Sequence, residues 1–362
     1  MNIEQLGWNS DFSKHFTKYE NDGFFPARIT CQYKNGYDVL TESGEYKAEL
    51  SGRFLHSATY RSDFPAVGDW TAVSVYPGEK RVIIHRLLPR QSVFSRKAAS
   101  SGGMPESGGR TDEQILAANI DTVFLVVGLD GDYNMRRIER YLTATWDCGA
   151  SPVMVLNKTD ICDNLAERID EISTIAIDVP ICPVSAAENT GIDELREHVQ
   201  GGMTVVFLGS SGVGKSTIIN CLLGEDRLRT GEVRVYDSRG RHTTTHRELI
   251  LLPDGGVVID TPGMRELQLW GNEDGLKTTF DDIEMLAEQC RFRDCSHQGE
   301  PGCAIQEAIE NGTLDKKRYK NYRKMQQELL HQKRRQDNNA ARIERDKWKK
   351  IAKSRRKLNK HT

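Results

Sequence analysis

The chain has 362 residues, of which 38% are hydrophobic and 28% charged, and carries a net charge of −2. This composition suits a soluble protein of two or three domains. There is no apolar run of about 18 residues, which excludes a helical membrane span, and Met1–Ser10 lack the basic-then-apolar pattern of a secretory leader. Of the eight cysteines, Cys31, Cys148, Cys162, Cys182 and Cys221 stand apart, so a disulfide framework is also excluded and the cytoplasm is the expected compartment.

Residues 1–23 form an N-terminal extension without a recognisable motif. From 24 to 92 the sequence reads as short strands broken by turns: Arg28–Tyr33, Tyr37–Thr41, Tyr46–Leu50, Trp70–Tyr76 and Val82–Leu87. Asn35-Gly36 and Ser43-Gly44 supply turn chemistry. Five strands in this length predict a small β-barrel of the OB type, a fold that often binds oligonucleotides. Residues 93–111 are read as a flexible linker, because Ser95–Thr111 is rich in Gly and Ser and too poor in apolar residues to order itself.

From 112 to 272 the pattern becomes buried strands alternating with helices. The strands are Asp121–Gly128, Pro152–Leu156, Thr204–Leu208 and Gly256–Ile259, and helices are expected near Met135–Thr145, Ile192–Val199 and Thr217–Leu223. This predicts a doubly wound α/β sheet with ligand loops at the strand ends.

Gly209-Ser210-Ser211-Gly212-Val213-Gly214-Lys215-Ser216 satisfies the phosphate-loop pattern directly after a strand and before a helix that opens with Thr217. Backbone N–H groups of such a loop surround the phosphates at a helix N-terminus. Lys215 would reach the β- and γ-phosphates, and the Ser216 hydroxyl would ligate Mg²⁺. The phosphate loop alone does not choose between ATP and GTP. Asn157-Lys158-Thr159-Asp160, at the end of an apolar strand, resembles the guanine-recognition motif of GTPases. There the Asp carboxylate accepts from two donors of guanine that adenine lacks, the Asn meets the other edge of the base and the Lys stem covers the ring. Ser185-Ala186 resembles the element that braces the base. Asp260 through Gly263 looks like the DxxG element, with Asp260 holding Mg²⁺ through water and the Gly263 N–H meeting the γ-phosphate. Between them, Gly240–His246 carries a threonine to complete the Mg²⁺ shell; Thr244 is the first candidate and Thr243 the second.

The order of these motifs is unusual. The guanine motif and its bracing Ser185 precede the phosphate loop, so the sheet is circularly permuted and the segment after Gly263 leads out of the domain towards the C-terminal region. That region, 273–330, is expected to be mostly helical. Its Cys290, Cys295, His297 and Cys303 form C-x4-C-x-H-x5-C, a closed Cys3His set suited to one structural Zn²⁺. A basic tail, 331–362, follows. From Lys316 to the end there are 19 Lys and Arg against 4 Asp and Glu, a balance of +15, so the rest of the chain sums to −17. A basic tail on an acidic body suggests a polyanion such as nucleic acid, and Tyr319, Tyr322 and Trp348 are placed to stack on bases.

The permuted motifs, together with Gly240–Leu249 (GRHTTTHREL), Cys290–Ala304 (CRFRDCSHQGEPGCA), Gly52-Arg53-Phe54 and Asp63–Trp70, resemble the bacterial family of ribosome small-subunit-dependent GTPase A (RsgA) over roughly residues 24–330. The resemblance implies a cytoplasmic factor of late 30S maturation, an OB domain on 16S rRNA, and GTP hydrolysis to GDP stimulated by the 30S subunit; a monomer is expected. The position after DxxG, where many GTPases carry a water-orienting Gln, is Met264, whose thioether accepts too weakly. His242 is the candidate for that role, in line with the resemblance, and His246 or a ribosomal group is the alternative. Two rival classes remain: a phosphate-loop kinase or ATPase, which leaves Asn157–Asp160 and Ser185-Ala186 unexplained, and a non-hydrolysing RNA-binding scaffold, which leaves Lys215, Ser216 and Asp260 without a role.

Overall fold

The computed structural model describes residues 2–76, 78–97, 113–131, 133–228, 247–260 and 273–334. The first helix, α1 (Ser10–Glu20), starts at Asn9, whose side chain accepts from the N–H groups of Asp11 and Phe12. It places Phe12 and Phe16 one turn apart, and with Leu6 and Trp8 they cover the barrel at Leu40, Trp70, Ala72 and Leu88. The extension without a motif is therefore an aromatic cover, and burying each phenylalanine contributes about 1.5–3 kcal/mol.

The barrel strands are β1 (Phe25–Tyr33), β2 (Gly36–Thr41), β3 (Gly44–Leu50), β4 (Trp70–Val75) and β5 (Arg81–Leu87), with the short helix α2 (Gly52–Ser57) after β3. They follow the order β1-β2-β3-β5-β4, and β4 returns to pair with β1, which closes the barrel expected from the sequence. Ala27, Ile29, Val39, Val73, Val82 and Ile84 fill its interior.

Next, β6 (Val93–Lys97) pairs antiparallel with β7 (Glu113–Ala118). The segment read as a linker thus opens with a strand. Its cause is Phe94, which is buried with Leu116 and Ala117 and whose short apolar pair with Val93 is easily missed before a Ser/Gly-rich run. Residues 98–112 lie outside the described residues.

The α/β domain then runs through β8 (Thr122–Gly128), α3 (Met135–Cys148), β9 (Ser151–Asn157), α4 (Leu165–Ser173), β10 (Ile181–Val184), α5 (Ile192–Glu197), β11 (Thr204–Leu208), α6 (Lys215–Leu223), β12 (Glu248–Leu251) and β13 (Val257–Asp260). Sheet order is β10-β9-β8-β11-β13-β12, parallel except for β12. Every residue of β8 and β11 is buried, as expected for strands covered on both faces. The permutation leaves β11 central, with the guanine-motif strand β9 two places away and β13 beside it.

The barrel is continuous with this sheet through a pairing of Cys31 with Glu248. Beneath that joint Arg28 is fully buried. Its guanidinium donates to the carbonyls of Gly68 (3.2 Å), Asn119 (3.2 Å) and Leu6 and to the Thr204 hydroxyl (2.7 Å). Four stretches of chain thus meet on one cation at the base of β11.

The C-terminal unit consists of α7 (Asp274–Thr279), α8 (Asp281–Glu288), α9 (Ala304–Glu310) and a helical segment, residues 316–334, packed around Phe280, Ile283, Ile305 and Met325. Tyr319 and Tyr322, read as base-stacking candidates, are buried in this core. Trp348 and the rest of the tail beyond residue 334 lie outside the described residues.

Candidate nucleotide site and metal centre

The loop from Gly209 to Gly214 leaves the C-terminal end of β11 and enters α6 at Lys215. Gly209, Gly212 and Gly214 have φ of 153°, 81° and 99°. At Gly214 an added Cβ would stand 2.1 Å from Asn157 Nδ2, so glycine there is required by the close approach of the guanine motif. Asn157 is 2% exposed and uses both ends of its amide: Nδ2 donates to the Val213 carbonyl (2.7 Å) and Oδ1 accepts from the Ala186 N–H (3.1 Å). The side chain expected to meet the base is thus a strut between the phosphate loop and the bracing loop.

Asp160 follows in a short turn after Lys158, and its Oδ1 accepts from the Ser185 hydroxyl at 2.6 Å. Ser185 is held in turn by a bridge to Thr190 and by the Glu188 N–H at 3.2 Å. The sequence motifs at 157–160 and 185–186 therefore converge, and the hydroxyl fixes the carboxylate that would read the base. Lys158 sits at φ 71° and its ammonium pairs with Asp130 in the loop after β8. Sequence reading missed Asp130, although its place at the end of an apolar parallel strand was a signal.

Lys215 Nζ donates to the carbonyls of Gly209 (2.7 Å) and Ser210 (2.5 Å), curling back over the loop it follows. Ser210 Oγ also accepts from Arg137 on α3, another residue the sequence did not single out. Ser211, Gly212 and Val213 complete the loop, while Ser216 and Thr217 occupy the first turn of α6. At the end of β13, burial raises the Asp260 carboxyl pKa, Glu248 adds to the rise and Lys215 opposes it. A cation at that place, whether the lysine ammonium or Mg²⁺, favours the charged carboxylate. His242, Thr243, Thr244, His246, Gly263 and Met264 lie outside the described residues.

In the C-terminal unit the ligand atoms of Cys290, Cys295, His297 and Cys303 all lie within 4.8 Å of one another. The sulfurs of Cys290 and Cys303 are each 3.5 Å from His297 Nδ1. One ring nitrogen has a single lone pair and cannot accept from two thiols. Around a tetrahedral ion, with Zn–S of about 2.3 Å and Zn–N of about 2.0 Å, sulfur and nitrogen stand about 3.5 Å apart. The donor set and spacing fit zinc, with no fifth ligand among the described residues. Glu300 shapes the loop: it accepts from Ser296 and from the Gln298 N–H, bonds that hold its carboxyl down to about 2. His297 itself adopts φ 56°, and Cys303 is buried at the start of α9.

A family model described as RsgA GTPase matches residues 87–270. A model for ABC transporters matches residues 192–357, a span that contains the phosphate loop but not Asn157–Asp160. A protein of Opitutus terrae named small ribosomal subunit biogenesis GTPase RsgA is 46% identical over 360 residues, which covers 97% of this chain and 96% of that one. A protein of Oceanobacillus iheyensis named small ribosomal subunit biogenesis GTPase RsgA 1 is 44% identical over 359 residues, 99% of each chain. Among solved structures, YjeQ from Thermotoga maritima matches with a TM-score of 0.61 and 29% identity, over 85% of this chain and 99% of its own. The fold is shared also with YloQ, described as a circularly permuted GTPase, at a TM-score of 0.61 and 22% identity over 85% of this chain and 96% of its own.

Proposed function

Because this chain belongs to the RsgA GTPase family, we propose that its GTP hydrolysis serves late maturation of the 30S ribosomal subunit, with the barrel on 16S rRNA and turnover stimulated by the subunit. The observation that carries the reading is the strut at Asn157, which joins the phosphate loop to the loop whose Ser185 fixes Asp160. A carboxylate there could accept from guanine N1–H and N2–H together, a pair of adjacent donors that adenine does not present.

In this reading Asp160 accepts from the guanine edge while Asn157, Lys158, Thr159, Ser185 and Ala186 shape the base pocket. The backbone of Gly209–Gly214 wraps the phosphates, and Lys215 swings from its two carbonyls onto them. Mg²⁺, held by Ser216 and Thr244 and by Asp260 through water, supplies charge to the β- and γ-phosphates when bound. The Gly263 N–H meets the γ-phosphate. His242 orients the attacking water in place of the missing Gln. Cys290, Cys295, His297 and Cys303 hold one structural zinc. The protein acts as a monomer in the cytoplasm, and among the described residues no helix is long and apolar enough to cross a membrane.

Hydrolysis of GTP and of ATP by the purified protein, with and without 30S subunits, tests the proposal. Stimulated hydrolysis of GTP alone is expected. Hydrolysis that 30S subunits leave unchanged overturns the ribosomal role, and a preference for ATP overturns the base assignment. Asp160→Asn is expected to exchange GTP for xanthosine triphosphate.

A further inference from the structure

Helix α3 touches both the phosphate loop and the C-terminal unit, and the two contacts lie on different side chains. Towards the C-terminal unit, Glu139 is fully buried and accepts from Arg318 (2.9 Å), Arg136 (2.6 Å) and Asn321 (2.5 Å). One helical position further, Arg140 forks onto Glu328 at 3.0 and 2.8 Å. The Thr143 hydroxyl meets that of Thr279 at 3.1 Å, and Asp147 Oδ1 accepts from the Gly275 N–H at 2.8 Å. At Gly275 an added Cβ would stand 2.4 Å from the Thr143 carbonyl. These contacts run along α3 from Arg136 to Asp147, while Ile138, Tyr141 and Leu142 on the same helix pack into the core of the sheet.

Within the first turn of the helix, between Arg136 and Glu139, Arg137 reaches the phosphate loop and donates to Ser210 Oγ. Its place is fixed by the helix start, since the Asn134 side chain accepts from the N–H groups of Arg136 and Arg137. Ser210 is also the residue whose carbonyl holds Lys215, so one residue joins the arginine to the lysine that serves the phosphates.

We propose that Arg137 is a positioning residue for the phosphate loop: through Ser210 it sets the loop and Lys215 according to where the C-terminal unit holds α3. The proposal rests on the GTPase reading above and adds a route by which a partner docked on the C-terminal unit reaches the phosphates. Coupling needs a pair of settings, here Arg137 on Ser210, as in this structure, and Arg137 released from it. A guanidinium suits the task because it stays charged and has a rigid fork, which a lysine lacks.

The test uses the full-length protein without ribosomes. Fluorescent GDP and a non-hydrolysable GTP analogue report dissociation rates for Arg137→Ala, Arg137→Lys, Ser210→Ala and the Arg137/Ser210 double variant, with kcat, KM and thermal midpoint measured beside them. Arg137→Ala and Ser210→Ala are each expected to change nucleotide dissociation or kcat by about fivefold or more, the lower range of site-to-site coupling. The double variant is expected to be no worse than the worse single one, Arg137→Lys to recover only part of the loss, and the thermal midpoint to stay near wild type. A remote arm removes the Arg140–Glu328 fork with Arg140→Gln and Glu328→Gln. That pair is expected to alter GDP dissociation when Arg137 is present and to have no effect in the Arg137→Ala background. Wild-type rates in Arg137→Ala, additive losses in the double variant, or a remote effect that survives without Arg137 would each overturn the proposal. Should 30S subunits fail to stimulate the wild type, the ribosomal role falls, while the ribosome-free cycle still decides Arg137.

Discussion

The nucleotide-binding sheet is joined to a neighbour on each side, and the two joints are built from different materials. On the barrel side the backbone carries the connection: Cys31 pairs with Glu248, and Arg28 is surrounded by three carbonyls and a hydroxyl. Burial lowers the Arg28 pKa to about 10, with Asp121 and Asp69 opposing, so it remains charged at neutral pH. On the C-terminal side the connection described here rests mainly on side chains, with three carboxylates among them: Glu139 with Arg318 and Arg136, Glu328 with Arg140, and Asp147 on the Gly275 N–H. A joint of neutral acceptors around one permanent cation has one setting. A joint of carboxylates can be changed by a proton, a salt or a bound polyanion. The direct partners of Arg28 thus include no carboxylate, whereas the C-terminal joint is centred on the buried carboxylate of Glu139.

The largest expected effect separates the C-terminal unit from that joint altogether. Removal of the proposed zinc with a strong chelator, or Cys303→Ser, withdraws a contribution on the order of 10 kcal/mol in small zinc domains. Limited proteolysis should then cut between residues 280 and 310, while the α/β domain still binds GDP, with dissociation altered no more than in Arg137→Ala. Affinity that collapses together with the metal would show that the two units do not fold separately. The next effect attacks the barrel joint. Arg28→Met strands the carbonyls of Leu6, Gly68 and Asn119 and is expected to cost about 3–5 kcal/mol in urea unfolding. The loss should be nearly independent of salt and of pH between 6 and 9.

How much of this was readable from sequence follows the same division. The barrel strands, the sheet strands β8, β9, β11 and β13, the phosphate loop, Asn157–Asp160, Ser185 and the Cys3His set were legible because each is a local pattern, whereas the short β10 and β12 were not named. Periodicity, a strand-end position or a fixed spacing suffices. Arg28, Asp130, Arg137 and Glu139 were not, because what makes them matter is a partner 28 to 179 positions away. Asn157 was read as a contact to the base, whereas its two protein partners, which the motif does not announce, come from loops 29 and 56 positions later. The helix at Ser10–Glu20 was missed because Phe12 and Phe16 cover a surface that exists only once the barrel has closed.

A smaller effect probes the charged joint at its centre. Glu139→Gln keeps an acceptor for Asn321 but leaves Arg136 and Arg318 without their shared buried charge. Arg318 retains Asp282 and the Thr279 carbonyl, so the cost is expected to be about 2–3 kcal/mol, less than the full loss of a buried pair. Arg318→Met, which removes the other partner, should couple with it: a double variant no less stable than the worse single one would place both in one network.

The smallest effect concerns Asp147, and its sign is opposite to that of the other three. Burial raises this carboxyl to about 6; the Gly275 N–H pulls it down and neighbouring Asp274 pushes it up. Its Oδ2 is buried without a partner among the described residues. An acid that binds its proton more tightly when folded contributes stability that is fully present below the unfolded pKa, about 3.9. That contribution is lost as pH rises through the folded value near 6. At pH 7.5 the native protein therefore holds an unfavourable charge where α7 begins. Asp147 as a residue is only half-buried, so nearby water screens the charge and the cost is about 1 kcal/mol, not the full equivalent of the shift. Asp147→Asn keeps an oxygen for Gly275 and removes the charge. It should be more stable than wild type by about 1 kcal/mol at pH 7.5, by about half of that near pH 5, and equal to it only below the unfolded pKa of about 3.9, where the aspartate is protonated in both the folded and the unfolded chain. Urea titrations at the two pH values decide the matter. A variant less stable than wild type at pH 7.5 would mean that the charge on Asp147 strengthens the joint, and the C-terminal contact would then be as fixed as the barrel's.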